Sequence, residues 1–430
     1  MLEIKFIREH PDIVKKDLEK RGEKEKLKWV DDVLKLDAEW RKLKGQADEL
    51  RSRRNSLSLE INKLKKEKKD ASKIVKEAQE IPEKIEKIEK ECAEKEKGIR
   101  YYLMRIPNIL HDSVPVGKDE NDNVVVKISG KKIKFNFELK SHVDLMEKND
   151  FADLERAAKI AGARWYFLKG DLALLEMAIT RYAIDFMIKR GYKLVVPPHM
   201  MSKKAYEGVT SLADFEEMLY KIENEDLYMI ATAEHPLTAM WMNEVLEENQ
   251  LPIKMAGFST NFRKEAGAHG KDTKGIFRVH QFNKVEQIII CRPEDSWKFH
   301  EELRKNIEDF FESLGLHFRT VNICTGDIGI VAAKKYDVEV WMPVQNAYRE
   351  VGSCSNCTAY QSVRLNIKYK SKEGNKYVHT LNSTCVATSR ALVAILENFQ
   401  QKDGTVKIPD VLVPYMNGVK FIGKSKEVLL

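Results

Sequence analysis

Between Trp29 and about Arg100 apolar residues are few but regularly placed. Leu36, Leu43, Leu50, Leu57 and Leu64 recur every seven positions, Trp40, Ala47 and Ile61 fill the intervening four-three positions, and only Arg54 interrupts the seam. This spacing predicts one face of a coiled coil. After the polar turn Lys65-Lys66-Glu67-Lys68-Lys69-Asp70-Ala71-Ser72, a second apolar spacing runs through Ile74, Ala78, Ile81, Ile85, Ile88, Cys92 and Ile99. The chain is therefore expected to double back as an antiparallel helical hairpin, with Pro82 kinking the second helix or delaying its start to about Glu83. From about Ile106 onward aromatics, glycines and prolines return, and short β-branched runs alternate with amphipathic stretches, the texture of an α+β domain. Asn123–Phe137 alternates around Gly130-Lys131 (Val124, Val126, Ile128, then Ile133, Phe135, Phe137) and predicts a hairpin. A long helix is expected from roughly Gly170 to Lys189.

The division predicted is residues 1–105, a helical unit, and 106–430, a catalytic-sized body. With 430 residues, 43% of them hydrophobic, the chain can bury a large core. Its net charge of +7 favours a polyanionic partner without requiring one. The hairpin's cations, Arg41, Arg51, Arg53 and Arg54 along its length and Lys63, Lys65, Lys66, Lys68 and Lys69 at its tip, suit a phosphate backbone read by shape. A solvated charged face, or a coiled coil that pairs with a protein, fits the same charges. Six scattered cysteines exclude a disulfide-stapled scaffold, the amino terminus carries Glu3, Lys5 and Arg8 in place of an apolar signal core, and no apolar run reaches membrane-spanning length. A cytosolic compartment is expected. No internal repeat, Walker-type loop or Rossmann fingerprint occurs.

Chemistry concentrates between Phe262 and Phe282. Arg263, Lys264, Lys271 and Arg278 supply cations, Glu265 a carboxylate, Gly267, Gly270 and Gly275 a pliable loop, and Phe282 an aromatic face. Guanidinium forks and glycine loops suit phosphates, and an aromatic plane suits a base. This string resembles motif 2 of class II aminoacyl-tRNA synthetases, and its close, Arg278-Val279-His280-Gln281-Phe282 with Lys284 and Glu286 following, is similar to the seryl-tRNA synthetase form. Other stretches resemble that family in the same order. Arg190-Gly191-Tyr192-Lys193-Leu194-Val195-Val196-Pro197-Pro198 is similar to motif 1. Ala231-Thr232-Ala233-Glu234-His235 resembles the amino-acid-recognising Thr-x-Glu loop, here read as extended with Thr232 and Glu234 on one side. The stretch from His379 to Arg390 resembles motif 3, with Ser383, Thr384 and Ser389 where the wider class carries glycines.

The resemblance implies a class II antiparallel-sheet catalytic domain behind a coiled-coil arm that grips tRNA. It implies a serine–tRNA ligase using ATP and Mg²⁺, acting on L-serine and tRNA(Ser), with tRNA(Sec) as a further candidate, and dimerising through motif 1. Catalytic roles fall to Arg263 and Arg278. Serine contacts fall to Thr232, Ala233, Glu234, Arg263, Glu286, Asn382 and Thr384. ATP contacts fall to Arg263, Lys264, Glu265, Lys271, Arg278, Val279, Phe282, Glu350, Val351, Gly352, Ser353 and Arg390, with Phe282 and Arg390 stacking the base. Glu350 and Ser353 are the implied Mg²⁺ ligands, hard oxygen donors for a hard cation. Cys354 and Cys357 also invite a zinc or redox reading, but no second pair completes a tetrahedral site and no βαβ context surrounds them, so zinc is not expected. Alternatives are a ligase that loads a carrier protein, another class II synthetase such as the threonyl or prolyl enzyme, and a non-catalytic coiled-coil protein. The basic arm, the short chain after motif 3 and the ordered motifs argue against them in turn.

Overall fold

A computed structural model describes residues 1–212, 216–265 and 274–423, so the Lys271 assignment lies outside the described residues. The chain divides into two compact units, Met1–Ile109 and Leu110–Leu430. In the first, two short helices precede a long pair, α1 (Leu27–Lys66) and α2 (Ser72–Leu103). At its base Ile7, Val14, Leu18, Val30, Val33, Leu103 and Ile106 form a small core. Along the arm, Leu57, Ile81 and Ile85 are buried together, with Leu50, Ile74 and Ala78 packed against them. The predicted seam is the observed one. Where Gly98 passes Leu36, an added Cβ would sit 3.0 Å from the leucine methyl, so the helices approach closely there. Arg53–Glu77 (2.8 Å), Lys95–Glu39 (2.6 Å) and Arg51–Glu89 ion pairs tie one helix to the other.

Of the two outcomes expected at Pro82, the delayed start near Glu83 is not found. The helix begins at Ser72 and continues through Pro82 to Leu103. Proline removes one helical N–H bond, but Ile81 just before Pro82 and Ile85 one turn on sit on the seam, buried with Leu57 of α1. Tertiary packing of those two isoleucines outweighs the local preference.

The second unit is built on an eight-stranded sheet. Its strands are β1 (Val124–Ser129), β2 (Lys193–Val195), β3 (Ile253–Phe262), β4 (Gln281–Cys291), β5 (Phe318–Asn322), β6 (Lys334–Met342), β7 (Ala347–Asn356) and β8 (His379–Ala387), in spatial order β1-β5-β6-β7-β8-β4-β3-β2. All neighbours are antiparallel except β2 and β3. Helices α3 (Gly170–Ile188), α5 (Ser296–Ser313) and α6 (Thr388–Phe399) cover the sheet and share its main core, with α4 (Glu234–Ala239) lying elsewhere in the unit. Leu175, Ile179, Ile307, Phe310, Phe311, Leu392 and Ile395 are fully buried there. Gly191 follows α3 at φ +83°, a conformation that suits glycine, and lets the chain enter β2.

Residues 123–137 do not form the predicted hairpin. Only Val124–Ser129 is a strand, and it pairs with β5 at the sheet edge; Ile133–Phe137 forms no strand. Gly130, at φ +78°, lies so close to Leu316 that a Cβ would meet its carbonyl oxygen at 2.8 Å. Pairing with the existing sheet gives β1 its backbone partners, so the local turn has no second strand to make.

Candidate active site

Alternation along β4 sets the site. Val285, Ile289 and Cys291 enter the main core, whereas Lys284 and Glu286 project from the opposite face. β8 lies alongside with Thr384 directly opposite Glu286, and β3 brings Gly257 to the other side. Glu286 is thus on a central strand and 2% exposed, not on a strand edge. Its carboxylate accepts from Thr384 Oγ1 at 3.5 Å and pairs with Lys284. Lys284 Nζ also donates to Thr232 Oγ1 at 2.8 Å. Lys284, to which the family resemblance gives no role, therefore links Thr232 to Glu286 and through it to Thr384. Burial lowers the Lys284 pKa, opposed by the carboxylate of Glu286.

The Thr-x-Glu segment departs from the extended form expected. Glu234 opens helix α4 and donates its backbone N–H to Thr232 Oγ1 at 3.2 Å. A free N–H at a helix start takes a nearby hydroxyl, which turns the chain here. Glu234 accepts from Gln361 Nε2 at 2.8 Å. Burial, then the charge of Glu286, push its pKa up to about 7.

Two cavities flank this network. One, about 320 Å³, is lined by Arg263, Glu265, Phe277, Arg278, Val279, Phe282, Glu350, Val351, Gly352, Ser353 and Arg390, and also by Lys284 and Thr384. The other, about 500 Å³, is lined by Thr232, Glu234, Asn382, Ser355 and Cys357 among others. Arg263, Lys335 and Ser353 line both, so the cavities meet at two cations and a hydroxyl. The hairpin of β3 and β4 presents Arg263 there, its Nε donating to the Ala231 carbonyl at 3.3 Å and its guanidinium 5.2 Å from the Phe282 centroid. Arg278 pairs with Glu265 at 2.9 Å, and Arg390 with Glu350 at 3.1 Å. Burial works against ionisation of Glu350, but Arg390, Lys335 and Arg263 hold its carboxyl at about 2.

Not every assigned residue faces these cavities. Lys264 is exposed, with Nζ 5.8 Å from the Tyr220 ring. Ala233 is fully buried beneath the loop, and Glu286 is reached only through Lys284 and Thr384. Four residues were missed: Lys284, Lys335, Phe277 and Asp337. The i, i+2 spacing of Lys284 to Glu286, and of Lys335 to Asp337, was the available signal, since both pairs fall on one face of a strand. Cys354 and Cys357 are both buried; Cys354 Sγ donates to the His300 carbonyl and Cys357 Sγ accepts from Asn382, each at 3.6 Å.

In the arm, Arg41, Arg51, Arg53 and Lys69 are engaged with carboxylates. Arg54, Lys63, Lys65, Lys66 and Lys68 make no ion pair among the described residues and are exposed around the tip.

Comparison with known proteins agrees with this geometry. Residues 1–110 match the seryl-tRNA synthetase N-terminal domain, and residues 218–399 the tRNA synthetase class II core domain (G, H, P, S and T). A serine–tRNA ligase of Methanocella arvoryzae is 58% identical over 98% of this chain and 100% of its own length. The chain belongs to the seryl-tRNA synthetase family. The crystal structure of seryl-tRNA synthetase from Pyrococcus horikoshii complexed with ATP is 50% identical and superposes with a TM-score of 0.92, covering 99% of this chain and 100% of that one. The cytoplasmic serine–tRNA ligase of Naegleria fowleri, in complex with AMP, is 40% identical with a TM-score of 0.87 over 98% of this chain and 99% of that one. The long arm and the antiparallel sheet are thus the seryl-tRNA synthetase fold.

Proposed function

We infer that the chain is a serine–tRNA ligase, activating L-serine with ATP and passing it to the 3′ end of tRNA(Ser), with tRNA(Sec) a further acceptor. One observation carries the chemistry: two cavities of unequal character meet at Arg263. We assign the 320 Å³ cavity to ATP and the 500 Å³ cavity to serine, which brings a carboxylate and an α-phosphate to the same guanidinium. Glu234 and Thr232 face the ammonium group. We assign the side-chain hydroxyl to Thr384 and Glu286, which bond each other while Glu286 also pairs with Lys284; the hydroxyl of serine can join this network, and alanine cannot. Phe282 and Arg390 flank the base.

The carboxylate oxygen of serine attacks the α-phosphorus and displaces pyrophosphate; the terminal tRNA hydroxyl then attacks the acyl carbon and releases AMP. No side chain serves as nucleophile. Arg263 and Arg278 hold the reactants and neutralise developing charge. Hard oxygen donors fit the Mg²⁺ assignment: Glu350 and Ser353 line the cavity, and Asp337, opposite Ser353 in register, pairs with Lys335 through Oδ2 while its buried Oδ1 has no hydrogen-bond partner among the described residues. Bound there, the cation would neutralise phosphate charge.

A homodimer through the motif 1 region is supported by apolar side chains left exposed on α3, on β2 and just beyond β2, including Met177 at 69%, Leu194 at 38% and Val196 at 63%. Among the described residues no helix is long and apolar enough to cross a membrane, and we place the enzyme in the cytosol. The deciding experiment is serine-dependent ATP–pyrophosphate exchange. Arg263→Ala should reduce it by on the order of 3 kcal/mol in the transition state while the protein stays folded. Near-normal exchange by a folded variant would refute the assignment.

A further inference from the structure

A third cavity, of about 580 Å³, adjoins the nucleotide cavity and shares Phe277, Arg278, Glu350 and Arg390 with it. Beyond these it is lined by two arginines that the reaction as described does not use, Arg319 and Arg349, together with Glu120, Asn121, Glu339 and Tyr348. A β-bulge sets this wall. Glu339 pairs with Glu350 and Val338 with Gly352, so Val351 has no partner on β6 and the side chains before it are re-aimed. Phe277 stands where the two cavities join, with the Arg349 guanidinium 4.4 Å and that of Arg390 5.4 Å from its ring centroid. Arg319 lies 4.5 Å from the Tyr348 ring and pairs with Glu339, and among the bonds of Arg349 is one to the Gln345 side chain. Aromatic faces thus fix two planar forks beside two others, Arg278 and Arg390, that already bound the nucleotide cavity. Such forks match phosphate oxygens.

We propose that this cavity is the departure site for pyrophosphate, with Arg349 and Arg319 as its ligands. The inference rests on the ligase reading. When the serine carboxylate attacks, the bond from the α-phosphorus to the α–β bridging oxygen breaks, and pyrophosphate leaves with that oxygen and the electron pair. Arg278 and Arg390 touch both cavities, so the anion can transfer to Arg349 and Arg319 without passing through a region free of cations. Arg349 and Arg319 then act on the product anion and not on ATP.

The test is the Michaelis constant for pyrophosphate in the exchange reaction, measured on the full chain with serine and ATP saturating. Arg349→Gln should raise it about tenfold, the loss of one charge-assisted contact, while the constants for ATP and serine stay within about twofold. Arg349→Lys, which keeps the charge but not the fork, should fall between. Arg319→Gln supplies the same readout should Arg349→Gln melt early. An unchanged constant for pyrophosphate, or one that moves in step with that for ATP, overturns the proposal. A rise confined to the tRNA constant in aminoacylation also overturns it and gives the cavity to RNA phosphate. Absence of serine-dependent exchange in the unaltered protein would instead sink the ligase reading itself.

Discussion

Glu234 shows how one buried carboxylate sets a pH dependence. Burial and the charge of Glu286 hold its proton on up to about pH 7, above the ordinary carboxylate range. The substrate ammonium needs the ionised form. Below pH 7 most of the protein is protonated at this position, and serine must compete with a proton. The Michaelis constant for serine should therefore climb as pH falls beneath 7, approaching tenfold per unit, while that for ATP does not follow. Glu234→Gln should bind serine weakly and lose this slope. A flat serine profile between about pH 5 and 8 in the unaltered enzyme would show that Glu234 does not titrate there. Lys284 makes a complementary point about legibility. Its spacing from Glu286 was visible in the sequence, but its bond to Thr232, 52 positions away, exists only because the sheet folds the Thr-x-Glu turn over β4.

At the level of elements, the coiled-coil seam was legible because a seven-residue repeat has one structural meaning, and the helix before motif 1 because a long run rich in leucine, alanine and methionine is followed by Gly191. The strand pairings were not. Nothing local distinguishes Val124–Ser129 folding on itself from its pairing with β5, and nothing local reports that Ile81 and Ile85 carry the helix through Pro82. Packing also makes one glycine informative. Gly257 on β3 faces α4, and an added Cβ would lie 2.6 Å from Leu237 Cδ1 and 2.8 Å from Ala233 Cβ. Gly257→Ala must push the turn bearing Thr232 and Glu234 away from the sheet. We expect a loss of roughly 1–3 kcal/mol in stability, from overpacking. The Michaelis constant for serine should rise while that for ATP is spared, because the nucleotide cavity has no wall on this turn. Equal effects on both substrates would mean that the turn does not define the serine side.

For the whole molecule, the separation into two units suggests a separation of labour. Every residue assigned to ATP or serine lies at or beyond Thr232, within the unit from Leu110 to Leu430, whereas the cations assigned to tRNA lie between Arg41 and Lys69. Within the arm those cations are not equivalent. Arg51 and Arg53 are held by Glu89 and Glu77 on the opposing helix and so contribute to closing the hairpin; Lys63, Lys65, Lys66 and Lys68 make no ion pair among the described residues. The tip lysines are the better candidates for RNA phosphate, since binding there breaks no existing pair. Replacing Leu36–Ile99 by a short flexible linker should leave serine-dependent ATP–pyrophosphate exchange largely intact and reduce aminoacylation of tRNA steeply. Neutralising single tip lysines should flatten the salt dependence of tRNA binding by about one unit of slope per lost phosphate contact, whereas neutralising Arg51 or Arg53 should first lower the melting temperature of the arm. If the truncated protein charges tRNA(Ser) as well as the full chain does, the arm has another purpose and its basic tip is only a solvated surface.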